Sequence, residues 1–154
     1  MSSTTPTRHP RFNHVAMSLP ADMLDEEHRG LIVDFYGSVF GFEELSTMTR
    51  NRERLILSAY TYEQFVFLIA DDEPMRAPRM DHFGMSVGAE AELDGMLGRA
   101  REFAERDERV DIVDKSVDDF EVLAITSFYV GYLLPMMVEV QWWDFGDTSP
   151  DSGG

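Results

Sequence analysis

"NHVAMSL" (residues 13–19) and "DHFGMSV" (residues 81–87) carry the same H-x-x-M-S pattern in the two halves of one chain. Both stretches alternate as β-strands do. His14, Ala16 and Ser18 point one way, and Val15, Met17 and Leu19 point the other. In the second copy His82, Gly84 and Ser86 share a face, opposite Phe83, Met85 and Val87. The bulky face suits a covering helix. The histidine face carries a small residue beside the ring, Ala16 or Gly84, and so leaves room for a ligand or an ion.

The same order of elements runs outward from each strand. After the first comes a polar loop, "PADMLDEEHRG", and then "LIVDFYGSVFG", a helix with Leu31, Ile32, Phe35, Tyr36, Val39 and Phe40 on one stripe and Gly41 to end it. Strands are expected near 42–48, 53–61 and 64–70. The polar stretch "ADDEPMRAPR" (70–79) reads as a linker. After the second histidine strand, "AEAELDGMLGRAREFAERD" is helical, with Leu93, Met96, Leu97, Ala100 and Ala104 buried. Strands follow near 109–116, 122–134 and 136–143. The order is βαβββ twice, an α+β fold in which a helix covers a mostly antiparallel sheet in each unit. The expected organisation is a leader at 1–11, one domain at 12–144 made of module 1 (12–73) and module 2 (80–144), and a tail at 145–154. Leader and tail are expected to be disordered. The two modules, related by a pseudo-twofold axis, are expected to pair into a cup-shaped mixed sheet.

Composition narrows the function classes. Net charge is −16, and Lys115 is the only lysine. Nucleic acid and anionic membrane surfaces are therefore not expected as partners. No apolar run is long enough to cross a bilayer, and "MSSTTPTRHPRF" has no signal-peptide core. Cysteine is absent, which removes thiol chemistry and fits a cytoplasmic location. A small-molecule substrate remains.

The late strand "PMMVEVQWWD" supplies the third candidate donor. Met137, Glu139, Gln141 and Trp143 share a face, so Glu139 is a carboxylate within an apolar strand. His14, His82 and Glu139 together make a two-histidine, one-carboxylate triad. Such a triad suits a divalent metal with open positions, Fe(II) above all, and with a further ligand Zn, Mn or Ni. Aromatic and polar residues on strands that could face the cup suggest a pocket for a flat substrate. These are Ser58, Tyr60, Tyr62, Phe65 and Phe67 in module 1, and Tyr132, Met137 and Gln141 in module 2. His28, in the loop before the first helix, is a candidate acid or base reaching over the cup.

"NHVAMS", "FYGSVFGFEEL", "DHFGMS" and "MVEVQWW" together resemble the vicinal oxygen chelate superfamily. That superfamily includes glyoxalase I, bleomycin- and fosfomycin-resistance proteins, methylmalonyl-CoA epimerase and extradiol dioxygenases. The resemblance spans about residues 12–144. It places the metal ligands at His14, His82 and Glu139. The centre of "EQFVFLIADD" offers no fourth ligand, and the remaining three-ligand pattern is that of the ring-cleaving branch. That branch's Tyr, before a Pro/Gly turn and the glutamate, falls on Tyr129 in "FYVGYLLPMMVE". The chain departs from the branch in having no histidine at 119–127, Phe67 near the position of the acid–base histidine, and "YLLP" at the turn. The resemblance implies a metal-dependent enzyme, an Fe(II) dioxygenase acting on an aromatic or enolisable vicinal-oxygen substrate. The alternatives are a glyoxalase-like lyase, isomerase or epimerase with a redox-inert metal, and a metal-free drug-binding resistance protein. Homodimers are common in the superfamily, so a second copy is among the expected partners.

Overall fold

A computed structural model describes residues 9–146, so most of the predicted leader and tail lies outside the described residues. Two βαβββ modules follow one another. Module 1 contains β1 (His14–Leu19), α1 (Glu26–Phe40), β2 (Glu43–Glu44), β3 (Arg54–Ser58) and β4 (Phe65–Ala70). Module 2 contains β5 (His82–Val87), α2 (Glu90–Arg106), β6 (Asp111–Asp119), β7 (Ala124–Gly131) and β8 (Met137–Asp144). Each forms its own four-stranded sheet, in the orders β1-β4-β3-β2 and β5-β8-β7-β6. In both, the first strand runs parallel to the last and the other pairs are antiparallel. β1 and β5, the histidine strands, are therefore edge strands of separate sheets.

α1 begins earlier than the apolar stripe suggests. The Asp25 carboxylate accepts the His28 backbone N–H at 2.9 Å, and Glu26 and Glu27 stand in the first turn, where the helix dipole favours acids. The stretch read as loop thus holds a short 3₁₀ turn (Ala21–Leu24) and the first turn of the helix. Gly41, at φ 78°, ends α1 as predicted, and its N–H bonds the Gly37 carbonyl at 2.9 Å. Ile32, Phe35, Tyr36 and Val39 bury one face of α1. Leu93, Leu97, Ala100 and Phe103 do the same for α2.

The two helices pack together and join the modules into one hydrophobic core. Phe35 meets the Phe103 ring edge-on at 5.1 Å and lies 4.6 Å from the Tyr132 ring. The buried Tyr36 hydroxyl donates to the Tyr132 carbonyl at 2.9 Å, and Arg99 Nε donates to the Val39 carbonyl at 3.1 Å, near the end of α1. With the helices on one face of each sheet, the other faces stay open, and His14, Ala16, His82, Gly84 and Ser86 are exposed there.

Three strand expectations change. The strand expected at 42–48 keeps only Glu43–Glu44 before a 3₁₀ turn at Ser46–Met48. β3 stops at Ser58, and β7 stops at Gly131, before Leu133 takes a left-handed conformation at φ 57°.

Candidate functional site

On the open face of module 2, strand register assembles a polar cluster. Glu139 on β8 sits between Gly84 on β5 and Tyr129 on β7. Its side chain is buried, with only 6% of the residue exposed. Gln141 Nε2 donates to its Oε1 at 2.5 Å. His82 Nε2 lies 3.9 Å from the same oxygen, and the His82 ring meets Tyr129 edge-on at 4.9 Å. A hydrogen bond to Glu139, together with burial, pushes the Tyr129 phenol up to about 12, so it keeps its proton at neutral pH.

The histidine nitrogens are sorted by their neighbours. His82 Nδ1 lies 2.7 Å from the Met80 carbonyl, which can only accept, so Nδ1 carries the proton and Nε2 keeps its lone pair. His14 Nδ1 lies 2.7 Å from Asn13 Oδ1, and donating a proton to that oxygen would leave its Nε2 lone pair free. The His14 ring stacks on Phe65 at 4.8 Å, in the open face of module 1 beside Ala16 and Phe67.

The donor types of the module 2 pair, an imidazole nitrogen and a carboxylate oxygen, are ones a divalent ion accepts. At 3.9 Å, Nε2 and Oε1 are too far apart to hydrogen bond. Ligands at right-angle or tetrahedral positions on one ion, with bonds of about 2.0–2.2 Å, stand about 2.9–3.5 Å apart, so the pair would close by about 0.4–1 Å around an ion. Glu139 is a buried carboxylate with Gln141 and Tyr129 as donors, and among the described residues no lysine or arginine is paired to it, so an ion would supply countercharge. A Cβ built on Gly84 would lie 3.7 Å from Oε1, so the glycine keeps the space beside the carboxylate clear. Within one chain the third predicted donor is absent from this cluster. Among the described residues no group of three or more His, Asp or Glu side chains is close enough to hold a metal. His14 stands on the other sheet.

No family model matches the sequence, and no curated protein matches it. Solved structures do. The chain is similar to a glyoxalase/bleomycin resistance protein/dioxygenase from Alicyclobacillus acidocaldarius, with a TM-score of 0.60 at 19% identity over 92% of this chain and 97% of that one. It is similar to lactoylglutathione lyase from Agrobacterium tumefaciens, with a TM-score of 0.57 at 15% identity over 88% and 95%. The fosfomycin resistance protein of Listeria monocytogenes gives 0.58 at 12% over 86% and 91%. The chain has the vicinal oxygen chelate fold. At these identities the likeness speaks to fold, and the chemistry rests on the side chains.

Several predicted residues sit elsewhere on this vicinal oxygen chelate fold. Tyr60 and Tyr62 are not in a strand. They occupy the turn between β3 and β4 and are 86% and 78% exposed. Tyr132 follows β7 and is buried at the helix junction, where its hydroxyl donates to Asp107 at 2.6 Å; it does not face the open sheet. His28 is not poised over the site. Its ring Nδ1 bonds Asp25 at 2.8 Å in the cap of α1. Ser58, Phe65 and Phe67 share the open face of module 1 with His14, and Met137 and Gln141 share that of module 2 with Glu139. Asn13, the Met80 carbonyl and Trp143 were not singled out as site residues by the sequence. For Asn13 the signal is an amide next to the histidine; for Met80, which contributes only its backbone, there is none.

Proposed function

We propose that the chain is a metal-dependent enzyme acting on a small molecule with two adjacent oxygens. The metal site is completed by a second copy of the chain. His82 and Glu139 come from one copy and His14 from the other. The observation that carries this is the His82 Nε2–Glu139 Oε1 pair, 3.9 Å apart, buried on the carboxylate side and set at an edge strand whose face is open. The case for a second copy is the layout of the strands. β1 and β5 are unpaired edges, each carrying a histidine with its Nε2 free. Setting β1 of one copy beside β5 of another covers both open faces and, by symmetry, builds the site twice. Exposed apolar side chains on those faces, Ile69 and Trp143, would be covered as well.

Two imidazoles and one carboxylate favour Fe(II), with Zn, Mn and Ni as alternatives. When bound, the ion supplies Lewis-acid polarisation of the two substrate oxygens and, as iron, a way to use O2 in dioxygenase chemistry. The protein's part is positioning. The Met80 carbonyl favours one tautomer of the His82 imidazole, and Asn13 orients the His14 ring. Ala16, Phe65, Phe67 and Ile56 make the His14 face apolar, which suits an aromatic substrate. Arg50 and Arg52 are engaged by Glu53 and Asp22, and Arg54 bonds the Met48 carbonyl, so this cluster is not poised for the carboxylates of a glutathione adduct.

A second reading has its own observation. Tyr129 holds its phenolic proton beside Glu139, where it can donate to an oxygen of substrate. With a redox-inert metal the same site would serve a lyase, isomerase or epimerase.

Metal content after anaerobic purification, followed by Fe(II) titration of the unsubstituted chain, His82→Ala and Glu139→Ala, tests the reading. Tight binding that both variants lose while staying folded is expected. Equal binding by both variants would overturn it, and no metal binding at all would leave the open faces as a drug-binding surface.

A further inference from the structure

Along β8 three side chains are hydrogen-bonded in series. Trp143 Nε1 donates to Gln141 Oε1 at 2.8 Å, and Gln141 Nε2 donates to Glu139 Oε1. Alternate residues of a strand share a face, so spacing by two brings the three together on the open side. The direction of the series is fixed by chemistry. An indole N–H can only donate, so the amide oxygen must face Trp143 and the amide N–H₂ must face the carboxylate.

We propose that Gln141, oriented by Trp143, is a positioning residue for the Glu139 carboxylate, an inference that rests on the metal reading above. Glutamate ends in freely turning torsions, and an unheld carboxylate would sample many orientations. The amide holds Oε1, the oxygen that lies 3.9 Å from His82 Nε2. A neutral donor is suited to this task. Lysine or arginine at position 141 would hold the carboxylate equally well, but its charge would compete with a divalent ion for the same oxygen. Tryptophan completes the device because a free amide could flip and present its own oxygen to the carboxylate. Gln141 acts through Glu139.

Cobalt(II) is a usable probe because its visible absorption reports ligand geometry. Affinity is read by chelator competition on the full chain, unsubstituted and as Gln141→Leu, Trp143→Phe, the double variant and Glu139→Ala. Loss of an outer hydrogen bond to a ligand typically weakens metal affinity about 10–100-fold. Gln141→Leu is expected to show that loss together with an altered cobalt spectrum. Trp143→Phe, which keeps the ring and removes the N–H, is expected to lose affinity in the same direction by a smaller factor. The double variant should lose no more than Gln141→Leu alone, since the two side chains act in one series. The metal-free variants should stay folded with a modest drop in unfolding midpoint from the lost hydrogen bond, and the altered cobalt spectrum is the readout a merely structural role would not move. Parental affinity and spectrum in Gln141→Leu, with binding abolished in Glu139→Ala, would overturn the positioning role and leave the metal site standing. Parental binding in Glu139→Ala would overturn the metal reading itself. Should Gln141→Leu fail to fold, Trp143→Phe decides: unchanged affinity and spectrum there refute the series.

Discussion

Glu139→Gln separates the two roles a buried carboxylate can have. The residue is 6% exposed, accepts from Gln141 and Tyr129, and has no lysine or arginine paired to it in the described residues. In the metal-free protein its negative charge is therefore a burden. An amide of the same shape keeps an oxygen for Gln141 and discards the charge. Replacing poorly compensated buried charge by a neutral group of similar volume is often neutral or stabilising by about 1–4 kcal/mol, and the low end, about 1 kcal/mol, is apt where neutral donors already serve the carboxylate. For a chain of this size that is a rise in Tm of about 2–4 °C. Metal reverses the order. An ion at 100 times its Kd stabilises the native state by about 2.7 kcal/mol. The parent should then gain about 5–11 °C, and the variant nothing. Thermal unfolding with and without Fe(II), under anaerobic conditions, measures both. The account is refuted if the metal-induced gain is the same in both proteins. It is equally refuted if the metal-free variant loses about 3 kcal/mol or more, because the carboxylate would then belong to a structural network.

Three further outcomes are expected. Gly84→Ala should bind metal as the parent does, since its Cβ would lie in ordinary contact 3.7 Å from Glu139 Oε1, whereas Gly84→Leu should fill that space and lose at least about tenfold in affinity with its fold intact by circular dichroism. Tyr36→Phe removes one of two donors to the Tyr132 carbonyl, which keeps the Leu134 N–H at 2.7 Å, so urea unfolding should show a loss of about 0.5–1.5 kcal/mol. Asp107, held below its ordinary value of 3.8 by hydrogen bonds from Arg109 and Tyr132, adds stability above that pH that is lost as pH falls toward its native value. The Tm of Asp107→Asn should therefore fall below the parent's at neutral pH and converge with it in acid.

Local pattern carried most of the fold. Period-two alternation placed both histidine strands and the facing of Glu139 and Gln141, because each sheet has one covered face and one open face. The α1 and α2 stripes were legible for the same reason, with Phe103 the buried residue left out. Strand ends were less legible. "SAYTYEQ" holds strand-forming tyrosines and threonine and no Gly or Pro, yet the chain turns at 59–64 and carries Tyr60 and Tyr62 away from the sheet face. Likewise β7 ends before Tyr132 without a glycine at the left-handed Leu133. His28 reads as a loose loop residue until Asp25 is seen as the cap of α1. The placement of His14 away from His82 and Glu139 has no local signature. It follows from α1 packing on α2 through Phe35, Tyr36 and Phe103, contacts between residues far apart in the chain.

The most direct test of a site shared between two copies is complementation. His14→Ala and Glu139→Ala are each expected to lose tight metal binding alone. Co-expressed with different affinity tags and purified as the mixed dimer, they should regain it, because one interface then unites an intact His14 with an intact His82 and Glu139. Tight Fe(II) binding by the mixed dimer is the predicted result. A mixed dimer that binds no better than either parent variant, or a parent protein that binds metal tightly as a monomer, would contradict the account.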